Sequence, residues 1–233
     1  MGSSERFANG YGRNLGRAYE VLRSEGVRAL WFRILGQAVY RRTILFERDL
    51  FEKGLEESLR PQSAAIEVTI SELKWSEADE YAAFLPGVTA AEVRSRLEQG
   101  HRCFIARHEG IAANAVWAAT GSARIRYLDC EIQLAPDEVY IYESYTAPAF
   151  RRRHIAGARA AAMLQYFRGS SFTRMLAAVM PENAGGIGAA LKAGYRPIGV
   201  IGWAGIRPWR RYFCRIEAGS RPVTLNRHPS PRA

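Results

Sequence analysis

Val139-Tyr140-Ile141-Tyr142-Glu143-Ser144-Tyr145-Thr146, then Ala147-Pro148-Ala149-Phe150, then Arg151-Arg152-Arg153-His154-Ile155-Ala156-Gly157, is the stretch whose reading settles the architecture. The first eight residues are rich in aromatic and β-branched side chains, as a strand requires. Beyond the arginines, Ala156, Ala160, Met163, Leu164 and Phe167 recur at helical spacing. A strand turning tightly into a helix leaves backbone N–H groups unpaired at the helix start, where the macrodipole adds partial positive charge. Three consecutive arginines strengthen that charge, and the combination suits a pyrophosphate. A run of solvated surface arginines would present the same residues.

The flanking sequence resolves into short units. Ile66 to Leu73 reads as a strand, and Ser76 to Phe84 and Ala90 to Leu97 as helices, with Ser76 and Thr89 as N-caps and Pro86-Gly87 between them. Arg102 to Arg107 and Ala113 to Thr120 read as strands joined by the turn His108-Glu109-Gly110-Ile111. Ser122 to Asp137 is ambiguous. Arg174 to Met180 reads as a strand, Asn183 to Ala193 as a helix, and Tyr195 to Trp203 with Arg210 to Ile216 as the last two strands. The expected organisation is a basic amphipathic helical segment over 1–62, an α/β domain over 63–218 and a flexible Pro- and Arg-rich tail over 219–233.

In order and in residues, the stretch from 64 to 217 resembles the GNAT superfamily of N-acetyltransferases. That family's phosphate loop follows V-x-P-x-x-(Q/R)-x-x-G-x-(G/A), and Thr146, Pro148, Arg151 and Ala156 fall on its marked positions. His154 stands where the family usually has its first glycine. A second signature, an Asn opening a helix that ends in a Gly-aromatic pair, is matched by Asn183 through Gly194-Tyr195. The resemblance implies an α/β (α+β) GNAT fold: a mixed, mostly antiparallel sheet flanked by helices, in which two strands splay to admit the pantetheine arm of an acyl-CoA. It implies acetyl-CoA, or another acyl-CoA, as cosubstrate, with no metal. Tyr145, Thr146, Arg151, Arg152, Arg153, His154, Ile155 and Ala156 would line the thioester and pyrophosphate, and Asn183 would hydrogen-bond the pantetheine amide. Asn183 also reads as a plain N-cap, and the two roles can coexist.

Acyl transfer needs a neutral amine, a polarised carbonyl and a proton for the leaving thiolate. Glu143 is the candidate base: strict alternation puts it on one face with Val139, Ile141 and Tyr145, among apolar neighbours that would raise its pKa. A solvated glutamate on an exposed face is the alternative. Ala178 occupies the place where many family members carry a base on the next strand, and Ala190 the place of the family's acidic tyrosine. Tyr145 is the candidate acid in its stead, with Tyr142, water or a domain without efficient catalysis as the other choices.

The chain has 233 residues and a formal net charge of +10, which calls for an anionic partner without naming it. Across residues 11–42, seven arginines face two glutamates, and Val27, Leu30, Trp31, Ile34 and Leu35 trace an amphipathic helix. That helix suits an anionic membrane surface, reached through residues 11–50, or packing on the neighbouring domain. Three scattered cysteines fit neither a disulfide framework nor a zinc site, and together with the lack of a signal-like or spanning apolar run they suggest the cytoplasm, or its membrane face. Gly2 is followed by Arg6 where a myristoylation motif wants Ser or Thr. The expected activity is N-acylation of a primary amine on a small molecule or peptide. Rivals are a CoA-binding module without efficient turnover, and a basic nucleic-acid binder, for which no base-reading motif is present. Acceptor and oligomeric state are not legible.

Overall fold

The computed structural model describes residues 39–52, 64–206 and 209–227. As far as these go, one compact unit takes Thr43–Ile201 with the chain from Cys214 onward, and a smaller one takes the chain up to Arg42 with Gly202–Phe213. The expected helix at Val27 to Leu35 and the linker at 60–63 lie outside the described residues.

Eight of the described strands form one sheet in the order β10-β9-β1-β8-β7-β4-β3-β2. Its strands are β1 (Tyr40–Asp49), β2 (Thr69–Glu72), β3 (Arg102–His108), β4 (Ile111–Ala119), β7 (Glu138–Thr146), β8 (Arg174–Val179), β9 (Arg196–Ala204) and β10 (Arg211–Ile216). β7 and β8 run parallel, while β2, β3, β4 and β7 form successive antiparallel pairs. A second, three-stranded sheet joins β5 (Ser122–Ile125), β6 (Cys130–Gln133) and β11 (Thr224–Arg227), which resolves the ambiguous segment as a hairpin. No helix of the described residues is long and apolar enough to cross a membrane.

Two helix pairs cover the sheet. On one face, α1 (Ala78–Phe84) and α2 (Ala90–Glu98) bury Tyr81 and Val93 against Cys103, Ile105, Ala115 and Trp117. On the other, α3 (Ile155–Arg168) buries Met163, Leu164 and Phe167 against Phe104, Val116, Val139 and Met175, with α4 (Ala184–Lys192) packing Ile187 and Ala190 at the rim. Neighbouring residues of β3 and β4 therefore point to opposite layers, as the pleat demands. Thr89 caps α2 as expected, exchanging bonds with Glu92 in a capping box. Ser76 does not cap a helix; it lies inside a 3₁₀ turn, Trp75–Glu77, that leads into α1.

Two expectations about the ends need correction. Residues 40–49, assigned to the N-terminal helical segment, form β1 between β9 and β8, with Leu45 and Phe46 both buried. Burial on both faces erases the alternation that would have announced a strand. The tail from 219 was expected to be flexible, yet Thr224–Arg227 pairs with β6, and Arg221 grips Asp137 through two guanidinium nitrogens, Nη2 donating to Oδ1 at 2.8 Å and Nη1 to Oδ2 at 3.0 Å.

Candidate functional site

The pairing of β7 with β8 starts at Glu138↔Arg174 and ends at Ile141↔Ala177. β7 then continues to Thr146 against β4, while β8 continues to Val179 against β1. The two parallel strands thus part company, and among the described residues the edge of β7 from Tyr142 onward has no strand beside it on that side. Ala147 N–H donates to Ala113 C=O at 3.0 Å, across toward β4. Since successive N–H groups of a strand alternate in direction, the Thr146 N–H points to the other edge, into the gap.

The register explains the site's layout. Ala115 pairs with Tyr145 and Trp117 with Tyr142, so two residues of β7, Glu143 and Ser144, stand opposite Val116 alone. This is a β-bulge, and Glu143 takes the positive φ of +51° that accompanies it. The extra residue shifts every later side chain to the other face. Val139 and Ile141 lie on the α3 layer, but Tyr142 and Tyr145 both lie on the α1/α2 layer. Tyr142 stacks on Trp117 and on Tyr140, while Tyr145 meets Phe84 edge-on at 5.2 Å between ring centroids. Glu143 therefore does not share a face with Ile141, and its carboxylate is ion-paired with Arg96 of α2 rather than surrounded by apolar groups.

The sequence reading missed Arg96 and His101. The Arg96 guanidinium lies over the Trp117 and Tyr142 rings, 5.1 and 5.7 Å from their centroids. His101 Nδ1 shares a 2.6 Å hydrogen bond with the Tyr142 hydroxyl. Burial, then the nearby Arg96 charge, pull the His101 pKa below its ordinary value, and burial pushes the Tyr142 phenol up. The imidazole is thus neutral, and the phenol protonated, at neutral pH. Neither residue belongs to a motif, and only the strand register brings them together.

Below the gap, the turn into α3 has the features of an anion cradle. Arg152 and His154 take left-handed φ values of +63° and +58°. His154 thus adopts the conformation that a glycine would supply at this family position, at the N-cap of α3. The backbone N–H groups of Arg152, Arg153, His154, Ile155 and Ala156 have no partner among the described residues. Alternating left- and right-handed residues gather such groups into an anion-binding concavity, to which the helix N-terminus adds its dipole. Arg151, Arg152, Arg153 and His154 are exposed, whereas Ile155 is buried against Ala106 and Ala113 and pins the turn to the sheet. Arg153 C=O accepts from Ala65 N–H at 3.0 Å, a second tether.

Asn183 caps α4, its Oδ1 accepting from Gly186 N–H at 2.9 Å. Its Nδ2 has no hydrogen-bond partner among the described residues and is left for a further acceptor. Ala178 and Ala190 stand where a base and an acid were looked for; Ala190 packs on the α3-side core.

A 240 Å³ cavity lies elsewhere, at the opposite end of the β7–β8 pair, among Glu47, Asp49, Thr173, Arg174, Arg196 and Arg221. Its charges answer one another: Arg174 donates to Glu47 and to Glu138, each at 2.7 Å. Such a self-satisfied network serves the fold.

The profile of the acetyltransferase (GNAT) family matches residues 69–195, more than half of the chain. The chain belongs to that family. No curated protein matches it. Among solved structures, an aminoglycoside N-acetyltransferase in complex with CoA is 18% identical, with a TM-score of 0.45 over 58% of this chain and 91% of that one. A putative GNAT-family acetyltransferase from Novosphingobium aromaticivorans is 14% identical, with a TM-score of 0.44 over 69% of this chain and 62% of its own. A GCN5-related N-acetyltransferase from Kribbella flavida is 15% identical, with a TM-score of 0.44 over 74% and 60%. This chain spans less than two thirds of the last two. These are likenesses of fold alone.

Proposed function

We propose that this chain is an acyl-CoA-dependent N-acyltransferase that moves an acetyl group from acetyl-CoA to a primary amine of a small molecule or peptide. The observation that carries the reading is the parting of β7 and β8 beyond Ile141 and Ala177, directly above a turn with five N–H groups that have no partner among the described residues. In this reading the pantetheine follows the open edge of β7, with Asn183 Nδ2 donating to one of its amide carbonyls. The pyrophosphate rests on the backbone of Arg152 to Ala156, with Arg151 and Arg153 adding charge. Thr146 N–H polarises the acyl carbonyl.

The acceptor approaches from the α1/α2 layer, where Glu143, Tyr142 and Tyr145 lie. Glu143 attracts the amine and takes its proton; the amine nitrogen bonds to the carbonyl carbon as the C–S bond breaks. The thiolate leaves with a proton from Tyr145, the phenol nearest Thr146 in the strand. Of the membrane role expected of residues 11–50, the part before β1 stays a proposal of its own, since Tyr40–Asp49 lies within the sheet. Co-sedimentation with anionic vesicles tests it, and equal binding by a chain lacking residues 1–38 would remove it.

Release of free thiol from acetyl-CoA with a panel of amines tests the function. Amine-dependent release is the expected result. A second reading, a CoA-binding module without turnover, draws on Ala178 and Ala190, where the usual catalytic side chains are missing. Tight CoA binding with no release across the panel would favour it. Retention on DNA that weakens steeply with salt would instead point to phosphate-backbone binding.

A further inference from the structure

Arg159 is a costly residue for its place. It sits on α3 with 5% of its surface exposed, facing the sheet. Its two hydrogen-bonding partners among the described residues are both neutral: Nε donates to Asn114 Oδ1 at 2.9 Å and Nη2 to Ser144 Oγ at 3.1 Å. Burial draws its pKa down to about 10, which still leaves it charged at neutral pH. A buried cation without a carboxylate loses hydration that neutral partners only partly restore, and a methionine would fill similar space at lower cost. Packing therefore does not explain it.

Its bonds lead to the bulge. Asn114, wholly buried on β4, turns its Nδ2 to Tyr145 C=O at 2.9 Å and to Thr146 Oγ1 at 2.7 Å. One guanidinium thus holds Ser144 directly, and Tyr145 and Thr146 through one amide. These three residues follow the extra residue Glu143 and carry the backbone that faces the gap. A trans peptide is planar, so fixing the Tyr145 carbonyl also fixes the direction of the Thr146 N–H.

We propose that Arg159 is a positioning residue: through Ser144 and Asn114 it locks the β7 bulge and aims the Thr146 N–H at the acyl carbonyl of the bound thioester. The inference rests on the acyltransferase reading above. Lysine is not an equivalent replacement, because it lacks the planar fork whose Nε and Nη2 reach the two acceptors in fixed directions.

The test is the infrared carbonyl band of acetyl-CoA carrying a ¹³C label at the carbonyl, bound to the full-length chain, with affinity from calorimetry. In the wild type the band moves to lower frequency on binding. In Arg159→Met and Arg159→Lys it returns toward its free position, while affinity changes less than about threefold and turnover on a responsive amine falls about 100-fold, the loss typical of one misplaced oxyanion donor. A folded Arg159→Met chain that binds acetyl-CoA with the wild-type band overturns the proposal. Should Arg159→Met fail to fold, Ser144→Ala removes one of the two bonds at an exposed residue; a partial return of the band is expected, and an unmoved band overturns the proposal equally. A wild-type chain that binds no acetyl-CoA overturns the acyltransferase reading itself, an outcome distinct from a binding variant with an unmoved band.

Discussion

His154 holds a left-handed backbone conformation that costs a non-glycine residue about 1–2 kcal/mol. His154→Gly should therefore raise the melting temperature, and affinity for acetyl-CoA should stay within about threefold, since the backbone N–H groups form the cradle. A calorimetric loss of tenfold or more would assign the imidazole to the anion directly. Glu143→Gln should lower turnover by about two orders of magnitude, with partial recovery as pH rises and the amine deprotonates on its own. Equal rates for both at neutral pH would remove Glu143 from the chemistry. His101 binds its proton more weakly in the folded chain than its ordinary value near 6.5. Its contribution to stability is thus present above that value and lost as pH falls toward the folded pKa. Chemical denaturation of wild type and His101→Gln across pH 7 to 5 should show the larger loss in the wild type. The residue type of Glu143 was legible in the sequence, but its surroundings were not. Strict alternation aligned it with Ile141, and only the count of residues facing Val116 reveals the bulge that turns Tyr145 to the Tyr142 side.

Among the elements, β7, the arginine turn and α3 were readable because polar punctuation separates a period of two from one of 3.6. β1 was not, since Leu45 and Phe46 are buried on opposite faces while Arg41, Arg42, Glu47 and Arg48 give the segment the charge of its neighbour. β11 was hidden by a composition of Pro, Arg and Ser that usually marks a loose tail. It is held in part by Arg221 and Asp137. The Arg221 and Thr173 hydrogen bonds hold the Asp137 carboxyl down at about 2. The clasp is therefore complete above the ordinary carboxylate range and opens as pH falls through about 2. Arg221→Ala should speed hydrogen exchange in Thr224–Arg227 and leave acetyl-CoA affinity unchanged, because the clasp lies at the far end of the β7–β8 pair from the gap. Unaltered exchange would mean that pairing with β6 alone retains the strand.

For the molecule as a whole, the formal net charge of +10 and the exposed arginines of the turn favour capture of an anionic cosubstrate, a rate effect that salt should weaken. The family was visible in two motifs, the turn from Thr146 to Ala156 and the helix from Asn183 to Tyr195. The proposed acceptor side was not, because Arg96, His101 and Tyr142 meet through packing rather than through any spacing in the chain. Everything proposed depends on the gap between β7 and β8 receiving a thioester. The most direct measurement is a crystal structure grown with CoA. The expected density runs from the N–H groups of Arg152 to Ala156, past Asn183, into the space beside Tyr142 to Thr146. CoA bound elsewhere, or the two strands hydrogen-bonded to each other through Thr146, would contradict it.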